Sequence, residues 1–214
     1  MKTYLQLEHS HHELLPPEFQ HDDVRYPESL VRHFLQEYTR PGDFVFDPFA
    51  GFGTTLVAAQ AMGRIGYGLE LDPAKLRYAG SRLQQPEHLL LGDARRLADY
   101  DLPLFSFSMT SPPFMTVDEI DDPLTDYRAH GRGYRAYLED LRGIYAALRQ
   151  RMRPAGVIVL EVANLKIGGR LTPLAWDVAE QIARVLHFDG EVVVCWDRYG
   201  YGYDHSYCLV YSVL

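Results

Sequence analysis

Two short stretches of this chain combine residue types that chemistry needs. The first is Phe44 to Thr55, FVFDPFAGFGTT. An apolar, β-prone run ends at Asp47-Pro48, a double-glycine turn follows at Gly51-Phe52-Gly53, and Leu56, Ala59 and Met62 then share one face of a helix. Glycines permit positive φ and a close backbone approach, so a ligand can sit against the turn and the first helical N–H groups. A second apolar run, Ile65 to Leu71, carries Glu70 about 20 residues past the turn, where an acid is placed to accept from the two hydroxyls of a ribose. The turn lacks both a third glycine and the Gly-Lys ending of a phosphate loop, so pyrophosphate is not favoured. The second stretch is Thr110 to Phe114, TSPPF, which ends the apolar run Leu104 to Met109. Read alone, each stretch has a plainer alternative: glycines that only pack, and a proline-stiffened loop with a packed phenylalanine.

Together, DPFAGFGTT and TSPPF resemble the amino-group DNA methyltransferases that use S-adenosylmethionine, the N4-cytosine and N6-adenine enzymes. Their glycine motif reads DPFxGxGTT, and their catalytic motif is Ser, Thr, Asp or Asn before Pro-Pro and an aromatic residue. The resemblance is close over Val24 to Phe114 and general beyond it. It implies a cofactor site built from Asp47, Pro48, Phe49, Gly51, Gly53, Thr54, Thr55, Glu70, Leu71, Asp93 and Ala94, and a catalytic loop of Ser111, Pro112, Pro113 and Phe114. Asp93 would take the adenine amino group; the alternative is a turn or N-cap aspartate. Arg25-Tyr26-Pro27-Glu28-Ser29 stands where the family touches the methionine end, with Tyr26-Pro27 in place of the usual Lys-Pro.

The implied chemistry follows from the nature of the acceptor. The lone pair of an exocyclic amine is delocalised into the base ring, so a catalyst helps by accepting hydrogen bonds from its N–H groups. The Ser111 hydroxyl and the Pro112 carbonyl suit that task, and two prolines stiffen the loop. Phe114 can stack on the base and hold it in line with the methyl donor. Serine before the prolines is closer to the N4-cytosine group than to the N6-adenine group. DNA is therefore the expected substrate, favoured over RNA. An RNA or small-molecule amine methyltransferase of the same mechanism and a non-catalytic cofactor-binding subunit are the alternatives.

The elements that must position these residues read as one α/β domain over 1–214, a Rossmann-like class I methyltransferase fold. The expected sheet has seven strands, mostly parallel with one antiparallel strand, and helices on both faces. Residues 1–23 form an amino-terminal arm whose His9, His11, His12 and Glu13 match no zinc spacing, so no metal is expected. Helical stripes run through Leu30, Val31, Phe34, Leu35 and Tyr38, through Tyr137 to Met152, and from Leu174 to Leu186. A strand is expected at His88 to Leu91, another at Val157 to Val162 after the Pro154-Gly156 turn, and a hairpin from Glu191–Trp196 and Tyr207–Leu214. Tyr199, Tyr201 and Tyr203 in that hairpin could stack on a base. Residues 115–133 are polar and glycine-punctuated, a candidate mobile substrate loop. They leave no room for a large target-recognition region, which suggests low sequence specificity, a homodimer, a specificity partner or a substrate other than DNA.

A length of 214 residues with 47% hydrophobic residues suits one sizeable core. No apolar run is long enough to cross a membrane, and Met1 to Ser10 has no signal-peptide character. Cys195 and Cys208 sit in apolar runs, as reduced thiols of a cytoplasmic protein would. Neither is placed as the nucleophile of a C5-cytosine methyltransferase. The net charge of −8 is unusual for a nucleic-acid protein, although arginines cluster at Arg128, Arg132 and Arg135.

Overall fold

The computed structural model describes residues 2–11, 13–198 and 202–214, with the Asp22 side chain excepted. His12, Tyr199 and Tyr201 therefore lie outside the described residues.

The chain order is β1 (Tyr4–Leu7), α1 (Glu28–Tyr38), β2 (Phe44–Asp47), α2 (Thr54–Ala61), β3 (Ile65–Glu70), α3 (Pro73–Ser81), β4 (Leu89–Leu91), β5 (Phe105–Thr110) and α4 (Tyr134–Arg149). There follow β6 (Met152–Val162), β7 (Leu165–Ile167), β8 (Arg170–Thr172), α5 (Leu174–Ile182), β9 (His187–Trp196) and β10 (His205–Ser212). The main sheet runs β1-β9-β10-β6-β5-β2-β3-β4, and β7 pairs with β8 in a separate ribbon. Only β10 is reversed: it is antiparallel to both β9 and β6, and the remaining pairs are parallel. The Rossmann-like expectation holds, with one correction. The sheet has eight strands, because Tyr4–Leu7 adds a parallel edge strand to β9. Of that segment only Leu5 is buried, so its alternation is too short to announce a strand.

The two faces of the sheet bury different sets. Ile158, Leu160 and Val162 of β6 meet the stripe of α4 (Leu141, Ile144, Leu148) and Val178 of α5. Val159, Phe107 and Val45 point to the other side, against Val31, Phe34 and Leu35 of α1. Alternate residues of one strand serve opposite faces, as a doubly covered sheet requires. Strand β6 starts earlier than Pro154-Gly156 suggested. The sheet carries it through a register shift, with Ala155 at φ 59° and its N–H given to the Val213 carbonyl at 2.9 Å. Strand β9 likewise begins at His187, four residues ahead of the apolar run, and α5 ends at Ile182. No helix among the described residues is long and apolar enough to cross a membrane.

Because β2, β3, β4 and β5 are parallel, their carboxyl ends share one edge. That is the edge at which an open α/β sheet binds ligands. The glycine turn, Glu70, Asp93 and the Ser111–Phe114 loop all emerge there.

Candidate active site

At the end of β2 the chain reverses through Pro48–Gly53, with Gly51 at φ 53° and Gly53 at φ 83°. A side chain at Gly53 would place its Cβ 3.0 Å from that of Ala79 on α3, so glycine is needed there for both conformation and space. The Gly51 N–H donates to Glu70 Oε2 at 2.7 Å, and the Asp72 N–H donates to Oε1 at 2.7 Å. Glu70 is 8% exposed, and burial raises its pKa against the opposing effects of the Asp72 N–H, Lys75 and the Gly51 N–H. A carboxylate offers about four lone-pair sites, so each oxygen keeps one for a ribose hydroxyl.

Beneath the turn lies a buried polar cluster. Asp47 is 1% exposed and accepts from the Phe49 N–H at 3.0 Å and from the Tyr26 hydroxyl at 3.3 Å. Tyr26 also bonds the Thr55 hydroxyl. Burial raises the Asp47 pKa, offset by the surrounding hydroxyls and the Phe49 N–H, and burial followed by the Asp47 charge lifts that of Tyr26 well above its usual value. The Tyr-Pro that replaces Lys-Pro thus fastens the start of α1 to the glycine turn. Asp47, Gly53 and Thr55 are underpinnings of this turn and do not line the cavity above it.

The second loop leaves β5 at Ser111. Two tyrosine hydroxyls hold it: Tyr137 of α4 donates to the Pro113 carbonyl at 2.8 Å, and Tyr127 donates to the Phe114 carbonyl at 2.7 Å. Among the described residues, neither the Ser111 hydroxyl nor the Pro112 carbonyl has a hydrogen-bond partner. The Phe114 ring packs against the core cluster of α4.

Both loops border one cavity of about 910 Å³. Pro48, Phe49, Gly51 and Thr54 form its glycine-turn wall, with Glu70 and Leu71 beside them. Asp93 and Ala94 close the side at β4, and Ser111, Pro112, Pro113 and Phe114 stand across from the turn. Asp93 is heavily engaged within the protein. It caps the turn Ala94–Asp99 by accepting the Arg95 N–H at 2.9 Å, and it also takes the Arg95 guanidinium through both oxygens. The arginine holds its carboxyl below the usual range despite burial. An adenine amino group would share that carboxylate with Arg95.

Two further walls come from the amino-terminal arm and from the 115–133 segment expected as a substrate loop. The amino-terminal arm folds back over the cavity: Phe19 packs on Phe52 and Tyr78 with ring centroids 5.2 and 5.8 Å apart, and Arg25 pairs with Asp23 at 2.7 Å. In this polar segment the docking falls to Phe19 and to Leu15, which is buried, while Leu14 stays exposed. The 115–133 loop forms the other wall. It is strapped down by Lys75–Asp126 at 2.9 Å, Arg95–Asp122 at 3.2 Å and a contact between Arg128 and Asp72. Asp126 and Tyr127 take φ of 58° and 57°, strained for residues with side chains. Among the described residues no group of His, Cys, Asp and Glu could hold a metal ion.

Comparison with known proteins bears on this geometry. Residues 4–80 match the family model N6_N4_Mtase, described as DNA methylase. That stretch contains the glycine turn and Glu70 but stops short of Ser111–Phe114. Type II methyltransferase M.Cfr9I of Citrobacter freundii is 42% identical over 59 residues, 28% of this chain and 20% of that protein. DNA adenine methyltransferase YhdJ of Escherichia coli K12 is 34% identical over 74 residues, 35% of this chain and 25% of that one. The matched stretch thus spans a quarter or less of the length of these relatives. The fold is shared more widely. A TehB-like SAM-dependent methyltransferase from Corynebacterium glutamicum superposes with TM-score 0.58 at 14% identity, covering 92% of this chain and 93% of that one. The architecture is the class I methyltransferase fold.

Proposed function

We propose that this protein transfers a methyl group from S-adenosylmethionine to an exocyclic amine of a nucleobase in DNA, N4 of cytosine in first place and N6 of adenine in second. The observation that carries the reading is the pair of open acceptors on Ser111 and Pro112, on the rim of the cavity that the glycine turn also borders. The residues of that cavity suit the cofactor: Glu70 keeps acceptor capacity for two hydroxyls, and the Gly51 turn presents backbone close to the space beside it. When bound, the cofactor supplies a methyl group already activated on a sulfonium.

The protein's own work is then binding and alignment. Glu70, Leu71 and the Gly51 turn hold the cofactor, with Asp93 and Ala94 at its adenine end. Ser111 and Pro112 accept the two N–H groups of the amine, which favours a pyramidal nitrogen with a localised lone pair. Phe114 stacks on the base ring. Tyr137 and Tyr127 fix the loop, so alignment is built before substrate arrives. In a duplex the target base must leave the stack to reach this recess. Cys195 and Cys208 are both free thiols and stand outside the cavity lining, which suits direct transfer to nitrogen and a cytoplasmic setting.

The test is radiolabelled methyl transfer from S-adenosylmethionine to DNA, RNA and small-molecule amine pools, followed by identification of the methylated base. DNA labelling is expected, and it should fall about a hundredfold in Ser111→Ala and Phe114→Ala with cofactor binding kept. Full activity in both variants, or labelling confined to RNA or small amines, would refute the reading.

A further inference from the structure

The ribbon β7–β8 stands beside the catalytic loop and contributes little to the core beyond its base. That base is fixed: Leu165 and Thr172 are buried, and the Thr172 hydroxyl accepts the Val117 N–H at 3.1 Å. The tip is bare. Gly168 and Gly169 form a two-residue turn at φ 58° and 80°, and a Cβ at either would meet nothing within 4 Å. The register places Ile167 opposite Arg170 on one face, and Lys166 opposite Leu171 on the other. Ile167 is 55% exposed and borders the cavity mouth. Arg170 pairs with Asp118 at 2.5 Å but stays 65% exposed, and Lys166 has no ion pair among the described residues.

A stiff two-stranded ribbon that ends in an exposed β-branched side chain, with Arg170 opposite it on the same face and Lys166 on the other face, has a specific complement. A duplex from which one nucleotide has been extruded offers a flat apolar gap bounded by phosphates. Apolar side chains fill such gaps, and Lys or Arg neutralise the flanking charge. The location agrees, because the gap must lie at the mouth of the recess that receives the extruded base. We propose that Ile167 is the wedge that takes the place of the target nucleotide in duplex DNA, with Lys166 and Arg170 on the neighbouring phosphates. This rests on the proposed reaction and adds the element that opens the duplex.

The experiment compares methyl transfer to the same bacterial DNA, native and heat-denatured, for the wild type, Ile167→Ala and the double variant Lys166→Gln/Arg170→Gln. Denatured DNA has no stack to open. Ile167→Ala is expected to lose about tenfold on native DNA and stay within about twofold of wild type on denatured DNA. The double variant should lose activity on native DNA and show a shallower salt dependence there. An equal loss on both substrates, no loss on either, or a wild type that labels only denatured DNA would overturn the wedge and leave the reaction standing. A wild type that labels neither DNA overturns both. Thermal midpoints of the variants, expected to match the wild type because these side chains are exposed, show that any loss is not unfolding.

Discussion

The hydroxyl of Tyr137 donates to the carbonyl of Pro113, 24 positions earlier in the chain, at 2.8 Å. Tyr137 belongs to the buried stripe of α4, so the rigid core of the domain reaches directly into the Ser111–Phe114 loop. With Tyr127 on the Phe114 carbonyl, the two carbonyls that follow Pro112 are capped, and that of Pro112 has no partner among the described residues.

Tyr137→Phe should therefore impair transfer without impairing cofactor binding. The ring still packs, but the Pro113 carbonyl loses its donor and the loop is free to shift. A displacement of about 1 Å lowers the rate on the order of ten- to a hundredfold. The loss should fall on kcat, while the cofactor Kd measured by calorimetry stays constant. Stability should drop by about 1 kcal/mol in denaturant titration, the net worth of one partly buried hydrogen bond. A changed cofactor Kd with intact kcat would contradict the role.

The strap over the cavity makes a salt-sensitive prediction. Asp126 meets both Lys75 at 2.9 Å and Arg128 at 3.0 Å, and it sits beside Tyr127, which holds the Phe114 carbonyl. Partly exposed pairs contribute about 0–1 kcal/mol each and are screened by added salt. Asp126→Asn should weaken cofactor binding by about two- to tenfold at low salt. The wild-type affinity should fall with ionic strength, and the variant's should fall less. Parallel salt curves would dissociate the strap from the cavity.

Cofactor affinity should also follow pH in one direction. Burial raises the Glu70 pKa, so this carboxyl gains its proton at a higher pH than an ordinary glutamate. The protonated form gives up an acceptor site that the ribose needs, so affinity is present above the raised pKa and lost as pH falls through it. Asp93, held below its usual range by burial outweighed by Arg95, stays ionised through the same interval. Kd measured across the acidic range should rise in a single step, and the step should vanish in Glu70→Gln, whose affinity is low throughout.

How much of this was legible in the sequence depends on the range of the interaction. The turn at Gly51-Gly53, the acid at Glu70 and the loop from Ser111 are local motifs, and their placement at one edge follows from parallel strand order. Tyr137 was legible as a core residue because helical period encodes a face; what its hydroxyl meets belongs to a distant part of the chain. The Lys75–Asp126 pair is of the same kind, two charges joined only by the fold. Asp93 shows a competing local preference: an aspartate before a short helical turn caps it, and Arg95 two residues on takes the rest of its carboxylate. The edge strand β1 escaped because a single buried leucine in four residues is no pattern.

That edge strand bears on how the protein comes into being. Strand β1 pairs with β9, and Tyr4 lies level with Val193, nearly the whole chain apart. Strand β1 has no partner until β9 is in place, and only then does the arm that follows it gain a fixed outer end. Pairing across such a separation is late and slow. The central strands, joined by shorter connections, can therefore assemble before the arm is drawn over the cavity, which makes that cover the last part of the fold to close and the first that can open.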